Sequence, residues 1–193
     1  MISIIRPECP HPEALANRNY KHPRNKLALM NASSDKCMYC ESSIRHIDFG
    51  DIEHIKPKAE DKYPHLAFEW DNLGYSCRCC NSNKSDKYDV ETPYVNPYEE
   101  NPEEHFAWRG AIMLAKRGCE RAMLTINDVK LNRVSLVEKR VAKITDVDNA
   151  VSACFRLQNV RLRQQAIDEL IKFSEKDSEF SACIASVLSA HGV

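Results

Sequence analysis

Apolar residues in the second half of the chain recur at the spacing of amphipathic helices. After about Glu103 they return mostly every three or four positions, which places them on one face of a helix. This stripe consists of Leu131, Val134, Val137, Val141, Ile144, Val151 and Cys154. The stretches Leu162–Phe173 and Ser178–Leu188 repeat the pattern, and Thr125 and Asp148 are the expected N-caps. The sequence therefore predicts a lobe of packed helices.

The first half of the chain has a different pattern of apolar and polar residues. Up to about Asn31, weak helical periodicity is interrupted by prolines, which break a helix interior. Residues 33–89 have few long apolar runs and hold most of the cysteine, histidine and asparagine residues that could perform chemistry. A proline-punctuated connector, Tyr94–Pro102, follows. We expect an α+β fold that is mostly α-helical, with one domain at 1–93 and a second, made of connector and helical lobe, at 94–193.

Composition and charge narrow the class of protein. The chain has 193 residues, of which 43% are hydrophobic, so one substantial core is expected. It contains no apolar run long enough to span a membrane and no secretion signal at its start, and we expect a cytoplasmic protein. The net charge of −1 gives no global attraction to nucleic acid. Locally, Arg109–Lys172 carries thirteen basic and seven acidic residues; it could contact phosphates or form a solvated helical face.

Four of the nine cysteines form two C-x-x-C pairs, Cys37 with Cys40 and Cys77 with Cys80. Two residues between cysteines let both thiolates reach one tetrahedral ion, so two such pairs complete a closed structural zinc site. Without a secretion signal, this spacing indicates metal ligands rather than disulfides. Cys77 and Cys79 are an alternative second pair, but only Cys77 and Cys80 reproduce the spacing of the first.

Between the cysteine pairs lies the run Asp51–Lys58, in which Glu53 directly precedes His54. Two short strands are expected here, about a turn at Gly50. A carboxylate supplies a hard oxygen ligand to a divalent ion, and an imidazole can accept a proton from water near neutral pH. Strand alternation puts Asp51 on the same face as Glu53, so it is a possible further ligand. By itself such a pair indicates no more than a polar surface. The residues around it decide whether it belongs to a catalytic site.

The run E-H-x-x-P, followed by N-L and by C-x-x-C-N-x-x-K, resembles the HNH endonucleases in their zinc-knuckle form, with Asn in place of the final His. The motifs span about residues 36–86. The resemblance implies a ββα-metal element, in which a β-hairpin and a helix hold one catalytic ion. A site of carboxylate and amide oxygens suits Mg²⁺ or Mn²⁺.

The resemblance also implies roles for individual residues. His54 corresponds to the general base, and Glu53 to the metal-binding residue before it. Asn72 corresponds to the middle Asn, whose amide holds a loop so that a backbone carbonyl orients the imidazole. Asn81 corresponds to the second metal ligand, on the helix, and Lys84 to a lysine near the scissile phosphate.

Further motifs are similar to the PtuB subfamily of HNH proteins, which is associated with retrons and with the Septu anti-phage system. They are K-C-M-Y-C-E-S, D-I-E-H-I-K-P-K, N-P-Y-E-E-N-P-E-E-H-F and L-N-R, spread loosely from Met1 to about Arg140. The likeness implies a DNA-cleaving defence protein whose partner is an ABC/SMC-like ATPase of the PtuA type. The chain has no Walker-type glycine-rich motif, so any ATP dependence would come from that partner.

Other residues receive more ordinary predictions. His105 belongs to the subfamily pattern, and we expect it to cap or pack the connector. His46 and His65 are expected to be surface histidines. The helices after Val141 match no motif. Their amphipathic faces suit either packing within the chain or docking on a partner, and we predict docking.

Two other functions are compatible with parts of this sequence. A non-catalytic, zinc-stabilised nucleic-acid-binding or adaptor module would explain the cysteines and the basic segment, but not the positions of the Glu-His, Asn and Lys residues. A stand-alone restriction or mobile-element nuclease would share the chemistry and lack the ATPase. Co-purification of an ATPase separates this last reading from a defence complex.

Overall fold

The computed structural model describes residues 1–44 and 50–193. The N-terminal segment contains two helices, α1 (Pro12–Ala16) and α2 (Pro23–Ala32), each with proline in its first turn, where its missing N–H costs no hydrogen bond. His46 and the strand expected before Gly50 lie outside the described residues. Gly50 itself has a φ of +60°, a conformation that favours glycine.

A small ββα unit follows the first cysteine pair. Strand β1 (Asp51–His54) pairs antiparallel with β2 (Leu73–Ser76), with Glu53 opposite Gly74 and His54 opposite Leu73. Helix α3 (Arg78–Lys84) begins directly after β2. The connection from β1 to β2 contains short 3-10 turns at Pro64–Leu66 and Trp70–Asn72. The two strands of the unit are therefore far apart in sequence, and the described pairing is not the tight hairpin expected about Gly50.

The second half begins with a hairpin that the helical prediction missed. Strands β3 (Phe106–Arg109) and β4 (Ile112–Ala115) pair antiparallel around Gly110, whose φ is +55°. Four helices follow: α4 (Glu120–Asp128), α5 (Val134–Arg156), α6 (Val160–Ile171) and α7 (Ser181–Ala190).

The two expected N-caps are wrong. Thr125 lies inside α4, where its hydroxyl donates to the Arg121 carbonyl and accepts from the backbone N–H of Val95. Asp148 lies inside α5, because that helix runs without a break from Val134 to Arg156. Thr125 thus anchors the connector instead of starting a helix.

The main core joins residues from both halves of the chain. It includes Leu29, Tyr39, Leu73, Leu131 and Phe180. A smaller apolar cluster lies among α5, α6 and α7, and consists of Val147, Val151, Cys154, Leu170, Ile184 and Leu188. The expected α+β class is confirmed, with helices predominating. The domain boundary between residues 93 and 94 stays a prediction. Within the described ranges, no helix combines the length and the apolar character that crossing a bilayer requires.

Candidate active site and zinc centre

The four predicted cysteines converge at one point beside the ββα unit. Cys77 caps α3, where its sulfur accepts from the backbone N–H of Cys80, and the first pair lies on the turn before residue 44. All four sulfur atoms lie within 4.8 Å of one another, and the sulfurs of Cys40 and Cys77 are 3.9 Å apart.

This spacing fits zinc. With Zn–S bonds of about 2.3 Å, tetrahedral geometry requires sulfurs roughly 3.8 Å apart. Cys79 is exposed and outside the cluster, so Cys80 completes the second pair. Four thiolates would leave a zinc ion no open coordination position, which is typical of structural sites.

Arg133 extends the zinc centre in a way that the sequence reasoning missed. Its guanidinium nitrogens lie 3.6 Å from the Cys80 sulfur and 4.0 Å from the Cys40 sulfur. Burial opposes its charge, but the sulfurs of Cys80 and Cys40 raise its pKa overall. The preceding Asn132 accepts from the N–H of Met113 and donates to its carbonyl. The L-N-R motif therefore fastens the hairpin β3–β4 and the start of α5 to the cysteine cluster.

A cavity of about 530 Å³ opens between β1, α3 and the N-terminal segment. Four of the residues named from the motif line it: Asp51, Glu53, His54 and Asn81. The other two, Asn72 and Lys84, do not line this cavity. They bond instead to the backbone and side chains that shape it, as described next.

His54 is held as a neutral imidazole. Its Nε2 lies 3.0 Å from the Ala67 carbonyl, an acceptor that requires the proton on Nε2 and leaves Nδ1 with a lone pair. Burial lowers the pKa of His54 to about 4. At neutral pH the ring is therefore uncharged, and its Nδ1 is able to accept a proton.

Asn72 fixes the loop that presents the Ala67 carbonyl to His54. It is buried, its Oδ1 accepts from the N–H of Lys56 at 2.7 Å, and its Nδ2 donates to the carbonyls of Lys56 and Leu66. Leu66 immediately precedes Ala67, so the amide ties the residues beside the His54 acceptor to the end of β1. This geometry fits the loop-holding role that the motif implies.

The loop is also held from outside by Arg6, which the sequence reasoning did not single out. Its guanidinium donates to the carbonyls of Trp70, Asp71 and Leu73, at 2.8 to 2.9 Å. No local pattern marks this arginine, because its partners are backbone atoms more than sixty positions away.

Lys84, which the motif places near the scissile phosphate, does not line the cavity. Its ammonium is buried, 2.7 Å from Oε1 of Glu53 and 2.8 Å from the carbonyl of His54. The Tyr39 hydroxyl donates to the same Glu53 oxygen. Burial raises the pKa of Glu53, while Lys84 and the hydrogen bond from Tyr39 oppose that shift. The bonds recorded for Glu53 in the described structure all fall on Oε1, so Oε2 is the oxygen that could bind an ion.

Asp51 and Asn81 form a second polar pair at the cavity. The Asn81 amide nitrogen donates to Asp51 Oδ2 at 3.0 Å, which leaves the amide oxygen of Asn81 as an acceptor. Two carboxylates and one amide oxygen thus line one cavity, which fits the hard oxygen donors of a divalent ion.

Three residues at the rim were not predicted. The Tyr20 ring meets His54 edge-on, with centroids 4.6 Å apart. The ammonium groups of Lys58 and Lys21 lie 4.9 and 5.8 Å from the Tyr20 ring centre, and both lysines are exposed. The N-terminal segment therefore supplies part of the cavity wall.

Neither His65 nor His105 lines this cavity. His65 is exposed. His105 lies 2.7 Å from Glu100 and 3.3 Å from the Cys119 sulfur, contacts that join the connector to the start of α4.

Comparison with known proteins agrees with the motif resemblance. Residues 37–87 match the family model described as HNH endonuclease. The chain is 29% identical over 194 residues to a Septu protein PtuB of Bacillus thuringiensis, covering 91% of this chain and 73% of that protein. It is 28% identical over 158 residues to a Septu protein PtuB of Bacillus mycoides, covering 67% of this chain and 54% of that protein. The resemblance expected from the sequence is confirmed.

Proposed function

We propose that this chain is a metal-dependent HNH endonuclease that hydrolyses phosphodiester bonds of DNA. The main support for this proposal is that one cavity combines a neutral, oriented imidazole with two carboxylates and an amide oxygen. The HNH match across residues 37–87 supports this reading. A non-catalytic adaptor has no use for such a combination.

In the proposed mechanism, His54 accepts the proton of the attacking water through Nδ1. Its Nε2–H stays bonded to the Ala67 carbonyl, which keeps the ring oriented as it becomes charged. A divalent ion, when bound, stabilises the developing charge on the phosphoryl and leaving oxygens. Glu53, Asn81 and Asp51 are the residues that would hold it, and Mg²⁺ or Mn²⁺ fits these oxygen donors.

Lys84 receives a revised role in this mechanism. We assign it to positioning: its ammonium holds Glu53 Oε1 and the His54 carbonyl. The exposed Lys21 and Lys58 at the rim are better placed than Lys84 to meet a substrate phosphate, because neither ammonium is committed to a carboxylate among the described residues.

We further propose a cytoplasmic role in bacterial anti-phage defence together with an ABC/SMC-like ATPase of the PtuA type. The similarity to two proteins named Septu protein PtuB supports this. Exposed apolar side chains on the helical lobe, among them Phe155, Val160 and Leu162, offer a surface for a partner. Replacing Val160 and Leu162 by serine should weaken ATPase association and leave zinc content unchanged. Unaltered association would remove this surface from the proposal.

The nuclease proposal is tested by incubating supercoiled plasmid with the purified protein, with Mg²⁺ or Mn²⁺ and without added divalent ion. The ATPase is included in one arm and omitted in another. Nicking or linearisation only with added ion is expected. Dependence on the ATPase would favour the defence complex over a stand-alone enzyme. Cleavage that is equally fast without the ion contradicts the metal-dependent mechanism.

A further inference from the structure

A second cavity is lined, like the catalytic one, by residues of α3. Its volume is about 460 Å³. It lies between the zinc centre and the first turns of α5. Its lining comprises Ser42, Ser43, Ile44, Cys77, Arg78, Cys79, Ser82, Arg133, Ser135, Leu136 and Lys139.

The polar side chains of this cavity are of the kind that bind phosphate. Three are cationic and four are serines, and among the described residues no carboxylate belongs to the lining. The Glu179 carboxylate, which is not in the lining, accepts from the backbone N–H of Ser43 at 2.9 Å. Cations and hydroxyl donors without a competing anion are typical of contacts to a nucleic-acid backbone.

Two of the three cations are uncommitted. Arg133 is directed at the cysteine sulfurs, whereas Arg78 and Lys139 are exposed and have no ion pair or side-chain hydrogen bond within the part of the chain that is described. Exposed arginine and lysine heads give up little by exchanging water and counterions for phosphate oxygens. These two residues are therefore the ones available to an anionic ligand.

The two cavities are adjacent. Ser82, on α3, lines both of them, so they are neighbours along this helix. Phosphates along one DNA strand advance about 3.4 Å per nucleotide along the axis. A strand whose scissile phosphate lies at His54 would reach the second cavity within a few nucleotides.

We infer that Arg78 and Lys139 bind backbone phosphates of the same DNA strand that is cut at His54, a few nucleotides from the scissile bond. This inference rests on the proposed nuclease function, and it assigns substrate positioning to two residues to which the motif gives no role. Lys139 belongs to the basic segment Arg109–Lys172, so one member of that segment receives a specific task.

The test measures binding separately from cleavage. Fluorescence anisotropy of a short labelled DNA duplex is recorded in the His54→Ala background, with NaCl varied between about 50 and 200 mM. One double variant carries Arg78→Gln and Lys139→Gln. The control double variant carries Arg156→Gln and Arg161→Gln, which removes the same charge from exposed positions outside both cavities. A third pair, Arg78→Lys with Lys139→Arg, keeps the charge.

We expect the Arg78/Lys139 glutamine pair to bind roughly tenfold more weakly, and to lower the slope of log K against log salt by about 1.8, or 0.9 for each lost phosphate contact. The control pair and the charge-keeping pair should bind like the parent. Unchanged DNA binding would overturn the inference, and so would an equal loss of binding in the control pair. It would also be overturned if the glutamine pair lost a co-purifying protein but kept its DNA affinity. If the expected pattern appears but the wild type cleaves no DNA, the phosphate surface stands and the nuclease proposal fails.

Discussion

The ammonium of Lys84 lies 2.7 Å from Oε1 of Glu53, and both side chains are only 1% exposed. The same ammonium donates to the carbonyl of His54. One lysine on α3 therefore holds two consecutive residues of β1 through a buried ion pair and a hydrogen bond. Such a pair adds little net stability while it is intact, but breaking it leaves an uncompensated buried charge.

Replacing Lys84 by methionine should lower the free energy of unfolding by about 3 kcal/mol, because Glu53 would lose its counter-charge. Urea denaturation measures this. Lys87→Met is the control, since Lys87 is half-exposed and its carboxylate contact is 3.9 Å long. Adding Glu53→Gln to Lys84→Met should recover part of the loss. Equal stability of Lys84→Met and Lys87→Met would show that the buried pair is not formed.

Asn72→Ala should cost about 2 kcal/mol of stability, because the Lys56 N–H and the Lys56 and Leu66 carbonyls would lose their partner. Cleavage should fall further than stability alone explains, since the Ala67 carbonyl would no longer be fixed. Thermal melting and plasmid cleavage are measured in parallel with Asn127→Ala, an exposed asparagine on α4. A folded Asn72→Ala protein with wild-type cleavage would contradict the loop-holding role.

Arg133→Met should accelerate zinc release to a competing chelator roughly tenfold, because outer contacts tune metal affinity by such factors. The guanidinium would offset the charge of four zinc-bound thiolates, and its N–H groups point at the sulfurs of Cys80 and Cys40. Arg78→Met is the matched control: Arg78 is next to Cys77 in sequence but has no recorded bond to a sulfur among the described residues. Identical release rates in the two variants would show that Arg133 does not support the zinc centre.

Gly50→Ala should destabilise the protein more than Gly110→Ala. Both glycines have positive φ, of +60° and +55°, so both variants carry the same backbone strain. A Cβ at Gly50 would lie 2.4 Å from the Tyr75 ring, whereas nothing lies within 4 Å of one at Gly110. Gly110→Ala should cost about 1 kcal/mol, and Gly50→Ala measurably more. Equal melting temperatures would mean that Tyr75 does not pack against Gly50.

The sequence predicted the features that depend on short spacings. Two C-x-x-C pairs predicted a four-sulfur cluster, because each turn directs its own two thiols to one point and a tetrahedral ion needs both pairs. The Glu-His pair and Asn81 were placed together by family resemblance, and the structure brings them to one cavity. Thr125 shows where local signals mislead: its residue type suits a cap, but its hydroxyl serves a contact thirty positions away.

Contacts between segments that are distant in the chain could not be predicted from the sequence. The burial of Lys84 depends on how α3 packs on β1, which no spacing encodes. Arg133 and Tyr20 reach the zinc centre and His54 from segments far along the chain. Of these, only Arg133 had a sequence signal, the L-N-R motif, and that motif gave no indication of its partner. The hairpin β3–β4 was missed because four-residue strands carry too little periodicity to stand out against a helical neighbourhood.

The most direct test of the account is plasmid cleavage by His54→Ala beside His65→Ala, with Mg²⁺ or Mn²⁺ and any ATPase that the wild type requires. His65 is an exposed histidine on the same β1–β2 connection, so the pair separates the oriented base from a histidine of no proposed function. We predict that His54→Ala loses roughly 100-fold or more of the cleavage rate, while His65→Ala cleaves like the wild type. Cleavage by His54→Ala at the wild-type rate would contradict the assignment of His54 as the general base, and with it the mechanism proposed for this cavity.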